Sequence, residues 1–133
     1  MSNPRFTPRR YTSEPENFGR TDWIDWVDDN DQPGKSRSSY EKDRIAAAKL
    51  QHRFSVAIRK KASDKFGSLK AYARECEVPY DRLSKVMRGE AIMRLEDVAQ
   101  AQRILGEIVA VNPTSPSNRR TEQVRDIIRR QES

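Results

Sequence analysis

One cysteine and one histidine among 133 residues leave little room for redox or metal chemistry. Cys76 has no second thiol to pair with, so an internal disulfide is impossible, and its place on the apolar side of a helix makes it a small core residue. With His52 as the sole imidazole, a zinc finger is excluded and a Cys/His catalytic pair is not expected. His52 is read instead as a helix-surface residue. No apolar run approaches the length of a membrane span or a signal-peptide core, so the chain is expected to be intracellular, with no membrane partner. No nucleophile–base pair, metal-ligand set or glycine-rich phosphate loop is present, and the expectation is a protein that is not an enzyme and takes no metal and no cofactor. Repeats are missing too, as is strand-like alternation of any length.

Charge is plentiful by contrast. Charged residues make up 35% of the chain, as many as the hydrophobic ones, so the apolar part has to be concentrated in one segment. Lys and Arg exceed Asp and Glu by six, and the pI is near 9.7. That balance favours a polyanionic partner, although a merely soluble basic protein would also fit. The length permits one domain with arms and hardly two.

The informative stretch is residues 68–89, SLKAYARECEVPYDRLSKVMRG, which reads as two short amphipathic helices joined by a tight turn. Leu69, Tyr72, Ala73 and Cys76 recur at helical spacing on the first, and Val78, Leu83, Val86 and Met87 supply the buried side of the second. Ala73 is small enough to let two helices cross closely. Tyr80, Asp81, Ser84, Lys85 and Arg88 form an outer face of hydrogen-bonding groups and cations without a large aliphatic side chain. Such a face suits a helix lying in the major groove of DNA.

In the spacing of Ala73, Val78, Leu83 and Val86, with Arg88-Gly89 closing the second helix and an apolar helix from 94 to 105 following, the segment resembles the helix-turn-helix of the lambda-repressor-like (Cro/Xre) family of prokaryotic and phage regulators. The likeness extends over roughly residues 51–111, about half the chain. Two positions depart from the family pattern. Glu77 stands where the family usually has a turn glycine, so it must either avoid a positive φ or carry strain. Pro79 replaces the usual Ser or Thr cap and fits a first helical turn. The resemblance implies a double-stranded DNA partner, cytoplasmic location in a prokaryotic cell or phage-infected host, and homodimers whose reading helices stand about 34–36 Å apart. Residues 108–111 would close the bundle, and the section from Ile104 onward would supply the dimer contact.

Four regions are expected. Residues 1–37 form a poorly ordered arm in which seven acids between Glu14 and Asp31 face Arg20 alone, with Trp23-Ile24-Asp25-Trp26-Val27 among them. The tryptophans either pin this arm to the domain, in competition with DNA where it docks on the basic face, or bind an external protein partner. Residues 38–111 hold the DNA-binding domain. Ser38 and Glu41 make a capping-box signature for a helix from about 39 to 62, with Ala47, Leu50, Phe54, Ala57 and Ile58 as its apolar stripe and Ile45 at the margin. Lys60, Lys61 and Lys65 near its end either favour the helix C-terminus or touch phosphate. Residues 112–118 are a linker, and 119–133 an amphipathic helix on which Val124, Ile127 and Ile128 share a face. The fold expected is therefore all-α: a compact bundle of four to five helices with a helix-turn-helix, a disordered or loosely docked N-terminal arm and a C-terminal amphipathic helix.

Roles divide between affinity and specificity. Phosphate contact falls to Lys70, Arg88 and Arg94, with Ser68 at the start of the second helix, where it can also act as cap. Each neutralised phosphate contributes a salt slope of about −0.9 on duplex DNA. Base reading falls to Tyr80, Asp81, Ser84 and Lys85, with Arg82 at the flank. Lys85 suits guanine O6 and N7; Asp81 either accepts from cytosine N4 or steadies its own first turn. The function expected is a sequence-specific DNA-binding regulator of transcription, a repressor of phage or mobile-element (phage immunity) type reading the major groove with helix 79–88. The alternative is a protein–protein adaptor, antitoxin-like or polymerase-binding, that uses the acidic-aromatic arm 14–31 and its Trp23 and Trp26.

Overall fold

Ser38 accepts a hydrogen bond from the Glu41 amide and thereby starts α1 (Ser39–Phe66) in the computed structural model, which describes residues 6–34 and 36–109. Only half of the expected capping box forms, because the Glu41 carboxylate turns to Arg37 at 3.3 Å. Gly67 ends the helix in a left-handed conformation. Ser68 caps α2 (Leu69–Cys76) by accepting from the Ala71 amide at 3.0 Å. Pro79, with φ −60°, leads into α3 (Tyr80–Met87) without a side-chain cap. α4 (Leu95–Leu105) opens where Asp97 accepts from the Arg94 amide at 2.9 Å. Among the described residues there is no strand, only an isolated antiparallel bridge between Thr12 and Trp26. The mostly helical class agrees with the expectation. The linker 112–118 and the helix expected over 119–133 lie outside the described residues, as does residue 111.

The main core lies where α1, α2 and α3 meet. Ile58 and Ala62 of α1, Tyr72 and Ala73 of α2, and Val86 and Met87 of α3 are all buried there. Ala73 has the closely packed position foreseen for it. Cys76 is buried and free, and desolvation pushes its thiol pKa up, which makes it an inert filler. Ile108 closes the far side beyond α4. Lys61 and Lys65 donate to the carbonyls of Glu107 and Ile104, so these two cations stitch α1 to the end of α4.

The N-terminal arm is docked, with Trp26 buried. Residues 6–34 are packed onto the helices, with Phe18, Ile24 and Trp26 buried around Ala48 of α1. Burying side chains of this size is worth about 1.5–3 kcal/mol each, which a solvated arm would forgo. Its strands of backbone hold together by Val27 N–H donating to Tyr11 and by Thr12 and Ser13 donating to the Asp25 carbonyl. Phe18, Trp26 and His52 meet edge to face with ring centroids 5.4–6.2 Å apart. Lys49 and Asp28 (3.1 Å) then tie the acidic end to α1.

Arm docking also rotates the buried face of α1. Ile45, Ala48, Gln51, His52, Ser55, Ile58 and Ala62 are the buried positions, while Ala47 and Leu50 from the expected stripe are exposed. His52, expected at the surface, is 1% exposed. The arm covers a strip of small and polar residues that hydrophobicity alone would have turned to solvent. Gly89 permits a close approach of the arm: a β-carbon there would stand 2.8 Å from the Phe18 ring, and its φ is +74°.

Candidate nucleic-acid interface

The turn between α2 and α3 sets the direction of the candidate face. Glu77 takes φ 58°, ψ 38°, the one left-handed non-glycine residue among those described, and its amide donates back to α2. The positive φ that glycine would supply freely is thus reached by a glutamate. Val78 N–H follows with a bond to the Ala73 carbonyl at 3.1 Å. The turn then delivers Leu83, Val86 and Met87 to the core, which leaves the opposite side of α3 outward.

That outward side carries most of the residues singled out above. Asp81 and Lys85 are exposed, Tyr80 is 41% exposed, and Ser84 and Arg88 are half-buried at its edge. Tyr80, Ser84 and Arg88 fall four residues apart and so line one edge of the helix. Arg82 does not join them. Its guanidinium makes a two-pronged pair with the Asp97 carboxylate at 3.0 and 3.1 Å, joining α3 to α4, and this pairing raises its pKa. Arg82 is therefore a strut between helices, a correction to its expected place at the reading flank.

Lys70 is exposed in the first turn of α2, and Ser68 has its hydroxyl oxygen engaged as the cap. Arg94 is exposed just before α4, in a loop fastened from below by Gln51. The Gln51 amide nitrogen donates to the carbonyls of Val86 (2.9 Å) and Ala91 (2.8 Å), and its oxygen accepts from the Met93 amide (2.9 Å). Arg88 pairs with Glu90 at 2.8 Å, and Glu90 also holds Arg9 of the arm at 3.0 Å.

Two cations that the sequence did not single out lie at the Tyr80 edge. Arg59 of α1 has its pKa lowered, first by burial and then by the charges of Arg20 and Arg88, with Tyr80 acting the other way. Among the described residues neither Arg20 nor Arg59 has an ion-pair partner. Arg59 was hidden from sequence reasoning because it sits one turn beyond Ser55, half-buried beside a strip of α1 whose small and polar side chains do not announce burial.

The expected dimer section has Ile108 buried and Val109 exposed; the exposed aliphatic residues Leu50, Ile92 and Leu95 gather instead near the start of α4. Trp26 is buried, and Trp23 is 37% exposed. Among the described residues no group of His, Cys, Asp and Glu could hold a metal ion, and no helix is long and apolar enough to cross a membrane. Comparison of the chain with protein-family models, with curated proteins and with solved structures gives no match.

Proposed function

We propose that the protein is a sequence-specific, double-stranded DNA-binding regulator of transcription that reads the major groove with α3. The observation that supports this most is the character of the outer side of α3. Five polar or charged side chains face outward there, no aliphatic residue interrupts them, and the opposite side is anchored in the core. A solvated surface helix needs no such union of a rigidly held backbone with a hydrogen-bonding face on which Lys85 has no ion-pair partner among the described residues. Groove reading needs both.

In this reading α2 and α3 act as a helix-turn-helix of Cro/Xre type. Lys85 and Ser84 contact base edges, Tyr80 reaches a thymine methyl or a base edge, and Asp81 accepts from cytosine while repelling misplaced phosphates. Lys70, Arg88 and Arg94 hold the backbone. Repression by occupation of a promoter is the mode a small chain with one reading head performs most simply, as in phage or mobile-element regulators, and a homodimer on a near-palindromic site is part of the proposal.

The adaptor reading draws less support. Trp26 is used up inside the fold, which leaves Trp23 and Val27 as the arm's apolar surface for a partner. Selection of bound duplexes from a random pool tests the choice. A recovered consensus is the expected result, and its symmetry reports the dimer. Recovery of no consensus at any salt concentration would overturn the reading.

A further inference from the structure

Gly19 brings three parts of the chain to one point. A β-carbon at this residue would lie 2.1 Å from the Met87 carbonyl oxygen and 3.0 Å from the Ser55 β-carbon, and its φ is +73°. The arm backbone therefore touches the end of α3 and the middle of α1 together. The next residues along each path are cations. Arg20 follows Gly19, Arg88 follows Met87, and Arg59 stands one helical turn beyond Ser55.

We propose that Arg20, Arg59 and Arg88 form a phosphate-binding cleft at the Tyr80–Ser84 edge of α3, so that the docked arm is part of the DNA-contacting surface and not a cover over it. This rests on the DNA-binding reading and adds to it a site drawn from three separate segments. Among the described residues the one carboxylate that forms an ion pair with the group is Glu90, which Arg88 shares with Arg9. The Nε atoms of Arg59 and Arg88 are buried and have no hydrogen-bond partner among the described residues. Bringing like charges together with donors unused is unfavourable for the isolated protein. A phosphodiester satisfies both deficits, since each guanidinium offers a planar fork that matches two phosphate oxygens. A carboxylate of a protein partner would answer the charge equally, but the cleft runs along the same edge as Tyr80 and Ser84, where the strand beside a groove-bound helix has to pass.

The test is salt-dependent binding of the full chain to a fluorescein-labelled random-sequence duplex of about 20 base pairs, a length that lets non-specific phosphate contact dominate. Arg20→Ala should lower the magnitude of the slope of log K against log salt by about 1, and Arg20→Lys should keep the slope while weakening binding. Lys42→Ala removes the same charge near the start of α1, about 25 Å along the helix from Arg59 by its rise per residue, and should leave the slope unchanged. Arg59→Ala, inside a helix that tolerates alanine, is the second probe and should act as Arg20→Ala does; melting curves and Trp26 fluorescence verify that each variant stays folded. Slopes for Arg20→Ala and Arg59→Ala that match the Lys42→Ala slope, in a protein that still binds duplex, overturn the cleft alone. If the parent chain binds no duplex even at low salt, the underlying DNA reading fails with it.

Discussion

The Gly19 amide donates to Nδ1 of His52 at 2.8 Å, joining residues 33 apart in the chain and closing the arm onto α1. Accepting that bond fixes the ring proton on Nε2, which faces the Asp22 carbonyl at 3.4 Å. A protonated ring has no lone pair at Nδ1, so the Gly19 bond and the imidazolium exclude each other.

Acid should accordingly loosen the arm. Burial lowers the His52 pKa below its ordinary value; the Asp22 and Thr21 carbonyls oppose this and the Arg53 charge reinforces it. Between the folded and unfolded values the unfolded chain binds more protons, so stability falls as pH drops through that window. The contribution is fully present above about pH 6.5 and is lost below it, at a rate of at most about 1.4 kcal/mol per pH unit. His52→Gln keeps an acceptor and removes the titration. Melting temperatures between pH 7.5 and 5 should therefore fall more steeply for the parent chain than for the variant, with the Trp26 emission changing in step. Parallel profiles would remove His52 from the account.

Arg82 and Lys85 separate support from reading. Arg82→Ala should lower stability by about 1 kcal/mol, as expected for a partly exposed two-pronged pair, and leave the preferred duplex sequence as it is. Lys85→Ala should leave melting unchanged and relax preference at a single base pair, a loss of roughly 1–3 kcal/mol in discrimination. Repeating the duplex selection with both variants measures the difference; a consensus altered by Arg82→Ala and untouched by Lys85→Ala contradicts the assignment.

Glu77 holds a left-handed conformation that costs an ordinary residue about 1–2 kcal/mol, while glycine loses some of that gain through its freer unfolded state. Glu77→Gly should then stabilise the protein by about 0.5–1 kcal/mol, read as a higher urea midpoint at constant m-value. A lower midpoint would mean that the carboxylate makes a compensating contact.

The helix pair was legible in the sequence because α2 and α3 carry strong apolar periodicity over short spans: Tyr72, Ala73, Leu83, Val86 and Met87 are buried where spacing put them. The long first helix was legible as a helix and misread as to its face. Ala48, Gln51, His52 and Ser55 recur at helical spacing, but small and polar side chains do not announce burial. Their partners, Phe18 and Trp26, lie in a distant segment whose acidity resembles a solvated arm. Arg82 was misassigned for a related reason. Its position on the helix wheel is right for a groove flank, and only the placement of Asp97 on α4 shows that the guanidinium is already engaged.

The central claim is that the outer side of α3 enters a duplex groove. Amide chemical-shift mapping of the isotope-labelled full chain, titrated with its selected duplex, addresses this residue by residue. The account predicts the largest shifts at Tyr80, Ser84 and Lys85, smaller ones at Lys70 and Arg20, and little change around Leu50 and Leu95. Saturable shifts centred on Leu50, Ile92 and Leu95, with α3 unmoved, would contradict it.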